Sequence, residues 1–378
     1  MKSIKNRILW IFISLSMFGC LSLDAVRERF YWGSNDRPEE RLSEINPNNK
    51  DSVLMYMERG TMRQSRGEYE LSAKDYIAAA TRLEELETYS VSKGASSLLI
   101  NDNVQSFVGS PYERTLLHVF TALDHLSMPH WENAAVESRK IEATLDPRVR
   151  GDYPDIAFAR YIAGFGFEMI DDYSNAAVQY KIAGELLENL QIDEYGAIVS
   201  DHSEFHNLTD DSSEMVCVVL MGRTSKGKAL YSGAVQQSSP YATISFGDLV
   251  LGRSYTVSRT YNLIEKTGKV AAALKAAKVA GRIAVKEGVA AALENNGQHE
   301  LAGLARIALI GLLEQPDLRR WETLPSELQI ARVPCPKDLS EFNVAINDVY
   351  NQVSRTIRVT SPITRRRNIF FSLVRIMP

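Results

Sequence analysis

Histidine and cysteine, the side chains most used for metal and nucleophilic chemistry, are scarce: six and three in 378 residues. No cysteine or histidine spacing of a zinc site occurs. Three cysteines are also too few for a disulfide-built scaffold. Excess charge is missing as well. The formal net charge is −4, which provides no strong field for nucleic acid, so no such partner is expected. No apolar run reaches the roughly 20 residues of a membrane-spanning helix. What remains is ordinary: 45% hydrophobic and 24% charged residues, enough to build a core, with length for two or three domains.

The start of the chain is its most informative part. Lys2, Lys5 and Arg7 precede an apolar run from Ile8 to Phe18, and Met17-Phe18-Gly19-Cys20 puts a small residue directly before a cysteine. This reads as a secretory signal peptide over 1–19 that ends at a lipoprotein cleavage site. Lipid would be carried on the thiol and new amino group of Cys20. At about 0.8 kcal/mol per buried methylene, two or more acyl chains give stable anchoring. Leu21, not an aspartate, follows the cysteine, so the familiar inner-membrane retention signal is missing and an outer-membrane site facing the periplasm is expected. Residues 20–50, interrupted by Pro38 and Pro47 and dense in charge, read as a lipid-anchored tether with a short helix around Ala25–Tyr31. Cys217 and Cys335 are left either to pair or to stay as buried thiols.

From 51 to 192 the apolar period becomes 3.6. Gly164, Tyr173, Ala176, Tyr180 and Ala183 fall at the spacings of a tetratricopeptide repeat. Gly60, Gly67, Tyr69, Tyr76 and Ala79 repeat the pattern, with Ser72 in the small slot, and Ala122, Trp131 and Ala134 give a degraded copy. The small residues let paired helices approach; Tyr173 closes the turn, and Tyr180 and Ala183 are expected to pack toward the next pair. The copies are unevenly spaced, where an ideal array repeats about every 34 residues. Residues 193–378 read as a mixed α+β domain. Strands are expected over Glu214–Met221, Ala229–Val235, Tyr241–Phe246, Arg253–Ser258, Leu328–Val333, Val353–Thr360 and Asn368–Ile376, with helices at about 262–313. The fold class expected is mainly α with an added α+β part: an irregular tetratricopeptide-like helical array followed by a small mixed sheet and helix domain.

Candidate chemistry is thin. Gly222 to Lys228 approaches a phosphate loop, but Ala229 stands where a magnesium-binding hydroxyl belongs, so no nucleotide is expected. His202 and His206 would share a helix face, yet Glu204 lies between them rather than after the first, which is not the metalloprotease pattern. No metal and no cofactor is expected. Ser90 and Lys93 form a lone Ser-x-x-Lys without its companion motifs. His118, His125 and His130 sit on a helical pattern, and Arg365-Arg366-Arg367 reads as a solvated turn. Asn101, Asp102 and Asn103, followed by Tyr112 and Glu113, lie between repeats, where polar groups either cap the next helix or bind a ligand.

Cys20, Asn101-Asp102-Asn103, Tyr112-Glu113-Arg114, Ala134 to Arg139 and Glu214–Met221 together resemble an uncharacterised family of bacterial tetratricopeptide-type lipoproteins. Asp317-Leu318-Arg319-Arg320-Trp321, Leu324-Pro325 and Gln329-Ile330-Ala331-Arg332 extend the resemblance over most of the mature chain. Pro129-His130-Trp131 departs from it, where a Gly-x-Tyr turn is the pattern. The resemblance implies an exported, lipid-anchored, non-enzymatic protein, of a kind found beside other small envelope lipoproteins, including relatives of the curli-secretion channel. The function expected is an envelope scaffold or adaptor that binds a partner protein or peptide in a helical-repeat groove. The alternative is a peptidoglycan-binding factor or metal-dependent hydrolase using His202 and His206.

Overall fold

The computed structural model describes residues 22–33, 36–93, 106–199, 213–224, 240–274, 317, 319–348, 350–360 and 362–378. Cys20, Asn101, Asp102, Asn103, His202, His206, the strand expected at Ala229–Val235 and the helix expected beyond 274 lie outside them.

Six helices form three pairs: α2 (Ser52–Ser65) with α3 (Tyr69–Lys93), α4 (Pro111–Ser127) with α5 (Trp131–Leu145), and α6 (Ala157–Glu168) with α7 (Tyr173–Glu185). Short connections make the members of each pair antiparallel neighbours. Local chemistry marks the starts. Ser110 and Glu113 form a capping box at α4, with Pro111 in the first turn. Asp172 caps α7 by accepting from the Asn175 amide. Glycine sets the spacing inside two pairs. A Cβ on Gly60 would lie 2.5 Å from the Tyr76 ring, and one on Gly164 would lie 2.9 Å from the Tyr180 ring. Ser72 Oγ also donates to the Gly60 carbonyl at 2.9 Å.

The rest of the described chain is mostly β. A two-stranded ladder joins β1 (Gln191–Ile192) and β2 (Ile198–Val199). The remaining strands are β3 (Ser213–Met221), β4 (Tyr241–Phe246), β5 (Leu249–Arg253), β6 (Tyr255–Arg259), β7 (Glu327–Cys335), β8 (Phe342–Asn347), β9 (Val353–Val359), β10 (Thr364–Arg366) and β11 (Ile369–Ile376). They make a five-stranded sheet of order β10-β11-β3-β7-β6 and a four-stranded sheet of order β5-β4-β8-β9. β11 and β3 are parallel; β3 and β7 are antiparallel. A further helix, α8, occupies 260–274.

Period-2 alternation explains the layering. On β3, Val216, Val218 and Leu220 join the core shared with the helices, while Met215, Cys217, Val219 and Met221 join the core shared with the outer sheet. Both faces of β3 are therefore covered, which is why it reads as an unbroken apolar run. β7 splits in the same way, Leu328 and Ile330 against Ala331 and Val333. The architecture is a mixed α plus β protein in three layers: helices, five-stranded sheet, four-stranded sheet.

Three expectations need correction. Residues 22–50 are not a free tether. Helix α1 (Leu23–Trp32) buries Val26, Phe30 and Tyr31 in a cluster with Leu42 and Met62, because its apolar stripe has a partner on the body. The split at 192/193 does not separate two cores: Trp321, Leu324, Leu328 and Phe371 sit in the same cluster as Tyr76, Phe120 and Phe165. The single strand expected at Arg253–Ser258 is divided between sheets. Ser254 is the crossing point; its Oγ accepts from Ala242 N at 2.8 Å and donates to Gln329 Oε1 at 2.7 Å.

Candidate functional site

The inner side of the helical layer is where a repeat groove would lie. α6 is buried around its whole circumference, and α4 almost so. Their covering is the chain itself. Trp321 stands between Tyr76 and Phe120, with ring centroids 5.7 and 5.3 Å away. Its Nε1 donates to Thr61 Oγ1 at 2.9 Å, and its backbone N donates to Glu113 Oε1 at 2.6 Å. The other Glu113 oxygen accepts from the Ser110 amide and hydroxyl, each at 2.7 Å. Burial raises the Glu113 pKa against those hydrogen bonds. Tyr112 is buried as well. Of the two roles open to this stretch, Glu113 takes the capping one at the start of α4, and its other oxygen holds the helical layer to Trp321, two hundred residues away in sequence.

Two buried ion groups complete the junction. Arg27 Nε and Nη2 donate to Glu58 Oε1 at 2.8 and 2.5 Å, and the amides of Glu322 and Thr323 donate to the same carboxylate at 2.9 and 3.2 Å. Arg332 bridges layers by donating to Glu168 at 2.7 and 3.0 Å and to Glu214 at 2.5 and 3.0 Å. Tyr180 donates to Glu168 Oε2 at 2.5 Å, and burial holds its phenol well above the usual range. Glu58 and Glu168 carry no motif, whereas Glu214 and Arg332 both fall in stretches that carry the resemblance.

The remaining candidates are scattered. Of the repeat signature, Tyr69, Tyr76, Ala79, Ala122, Ala134, Gly164, Ala176, Tyr180 and Ala183 face inward, Trp131 is half-buried, and Tyr173 is exposed, donating to Asp171 at 3.1 Å. Tyr180 packs on Gly164 in its own pair, not toward a next pair. His118 Nδ1 meets Glu137 Oε2 at 2.7 Å. Arg366 and Arg367 engage Asp171 at 3.2 and 2.8 Å. Arg223 donates to Glu28 at 2.6 Å and lies over the Tyr31 ring. Cys217 faces Ala331 and Cys335 faces Ser213 in the β3–β7 register. At about 3.4 Å per rung they lie beyond the roughly 7 Å Cα limit for a disulfide. Both are free buried thiols whose pKa burial pushes up to about 12. Among the described residues, no three histidine, cysteine or acidic side chains are grouped to hold a metal, and no helix is long and apolar enough to cross a membrane.

The open surface lies in the outer sheet. β9 is a terminal strand of that sheet, and most of its residues are exposed. Tyr350, in the turn that feeds it, and Val353, its first residue, are 78% and 59% exposed. Among the described residues its outward edge has no ladder partner. Arg355 and Arg358 are exposed along it, the kind of charge that keeps an edge from pairing with copies of itself. No family model, curated protein or solved structure matches the chain.

Proposed function

We propose that this chain is a non-enzymatic, lipid-anchored scaffold of the cell envelope, an outer-membrane lipoprotein facing the periplasm that recruits a partner protein to an envelope complex. Lipid on Cys20 supplies position. The three helical pairs form an irregular tetratricopeptide-like array in this reading. Its support is one close-packing device used twice, Gly60 under Tyr76 and Gly164 under Tyr180.

The partner does not enter the array's inner groove, because α4 and α6 are already enclosed by the chain's own Trp321 segment and sheet. It docks on the outer sheet. The observation that carries this is the unpaired β9 edge beside exposed Tyr350 and Val353. An extended segment gains main-chain hydrogen bonds from such an edge and specificity from alternate side chains. Anchoring fits that geometry. Cys20 stands only a few residues before docked α1, so at roughly 3.5 Å per residue the lipid holds the body close to the bilayer.

A photo-crosslinking residue placed at Tyr350 or Val353 in intact cells, with Val136 and Val178 on the outer helices as controls, tests this. One stoichiometric partner captured from the β9 positions, identified by mild-detergent pull-down and mass spectrometry, supports the reading. Capture only from Val136 or Val178 moves the interface to the helices. No partner despite good recovery sinks the scaffold function.

A further inference from the structure

The open β9 edge carries charge of one sign. The strand reads Val-Ser-Arg-Thr-Ile-Arg-Val, with two guanidiniums and no carboxylate. Its ladder partner does not neutralise them: Arg355 faces Ile346 and Arg358 faces Asn343. Arg358 donates to Glu341 Oε2 through Nε and Nη2, at 3.1 and 2.5 Å. Both members of that pair are exposed, so water competes for it and its net worth is small. Asp348, in the turn before the strand, accepts from the Tyr350 and Gln352 amides through Oδ1. Arg355 is exposed and has no hydrogen bond or ion pair among the described residues.

Alternation fixes where these charges stand. The register is regular from Phe342–Val359 to Ile346–Arg355, and its one shift comes after that. Ile357 and Val359 turn to the core between the two sheets. Arg355 falls on their side of the strand, and Thr356 and Arg358 fall on the other. Residues directly opposite each other in a ladder share a face. A strand laid on the free edge therefore meets Arg355 and Arg358 with two residues three apart, one on each face of the sheet, and meets Ile357 with the residue next to the second of these.

We infer that the occupant of the β9 edge is an extended protein segment with two acidic residues three apart, one opposite Arg355 and one opposite Arg358, and an apolar residue opposite Ile357. The inference rests on the scaffold reading and adds the partner's chemistry to it. Opposite charges facing across a ladder stabilise it and like charges destabilise it. Main-chain hydrogen bonds at the edge supply affinity for any strand, so the charges select which segment binds and in which register. A second copy of this chain would bring two more guanidiniums to the same edge, which disfavours self-pairing.

The test is photo-crosslinking from Val353 of the full chain in intact cells. The parent is compared with Arg355→Glu/Arg358→Glu and with Arg355→Lys/Arg358→Lys. A protein captured by the parent is expected to be lost about tenfold or more in the glutamate variant, where two attractive pairs become repulsive, and to be kept in the lysine variant. Peptide mapping of the crosslink is expected to find an acid–any–apolar–acid stretch, in either chain direction, at the attachment site. Capture that survives charge reversal, or an attachment site without paired acids, overturns the inference and leaves the scaffold reading standing. Capture of a second copy or of phospholipid in place of a partner protein also overturns it. No capture by the parent removes the scaffold reading and this inference together. The mapped site in the parent decides the question if the glutamate variant does not fold.

Discussion

Both Glu58 oxygens are out of solvent, engaged by Arg27 and by two backbone amides of the 322–323 segment. Removing the carboxylate takes the shortest ion pair from a buried guanidinium, which keeps Asp24, Glu322 and the Arg320 carbonyl, and leaves two buried amides without an acceptor. Glu58→Ala is expected to destabilise by about 3–5 kcal/mol, read from urea unfolding. The exposed Arg358–Glu341 pair is the contrast: Glu341→Ala should change stability by less than about 1 kcal/mol. Asp124 makes a pH prediction. Gln64 donates to its Oδ1 at 2.8 Å, and its Oδ2 has no partner among the described residues. Burial raises its folded pKa well above the ordinary value. The folded carboxyl therefore holds its proton to higher pH than the unfolded one. Its contribution is full below the unfolded pKa of about 3.9 and fades as pH rises through the folded value. The urea midpoint should fall with pH over that window, and Asp124→Asn should flatten the fall. An unchanged slope in the variant would refute the assignment.

Among the elements, the helical pairs offer an internal control on close packing. A Cβ at Gly164 meets Tyr180 and the Ala176 carbonyl, whereas one at Gly268 in α8 meets nothing within 4 Å. Gly164→Ala should cost about 1–3 kcal/mol by overpacking. Gly268→Ala should stabilise by about 0.5–1 kcal/mol, since alanine is the better helix former. Helix α1 separates tether from docked element. Trypsin would cut a free tether at Arg27 and Arg29, but with Val26, Phe30 and Arg27 buried both sites should resist until the body unfolds. Much at this scale was legible. The apolar run of β3, the alternation in β7 and β11, and the small residues Gly60 and Gly164 each announce a local environment. The break at Ser254 was not legible, because Arg253 to Ser258 alternates like one strand, and only hydrogen bonds to Ala242 and Gln329 reveal the change of sheet.

For the whole molecule, the shared core makes the helices and sheets one unit. Tyr76, Phe120 and Trp321 touch across the boundary where a domain split was expected. Thermal unfolding of the chain should therefore show a single transition, with calorimetric and van't Hoff enthalpies equal. Two resolved transitions would restore the two-domain view. The same closure redirects recognition. A helical array whose inner face is filled from within must meet partners on its outside or through the outer sheet, and that is where the crosslinking test is aimed.

Composition and the periodicities belong to the sequence alone, because period 3.6 or 2 is set by backbone geometry. They settle which stretches become helix or strand and which residues turn inward. Which elements share a core is a matter of tertiary structure. Arg27 meets Glu58, Glu113 meets the Trp321 amide, and Arg332 joins Glu168 to Glu214, contacts between residues far apart in the chain whose charges are paired only once folding has removed them from water. The closed helical face follows from that packing, because only the layer laid over a surface decides whether it is a groove or a core.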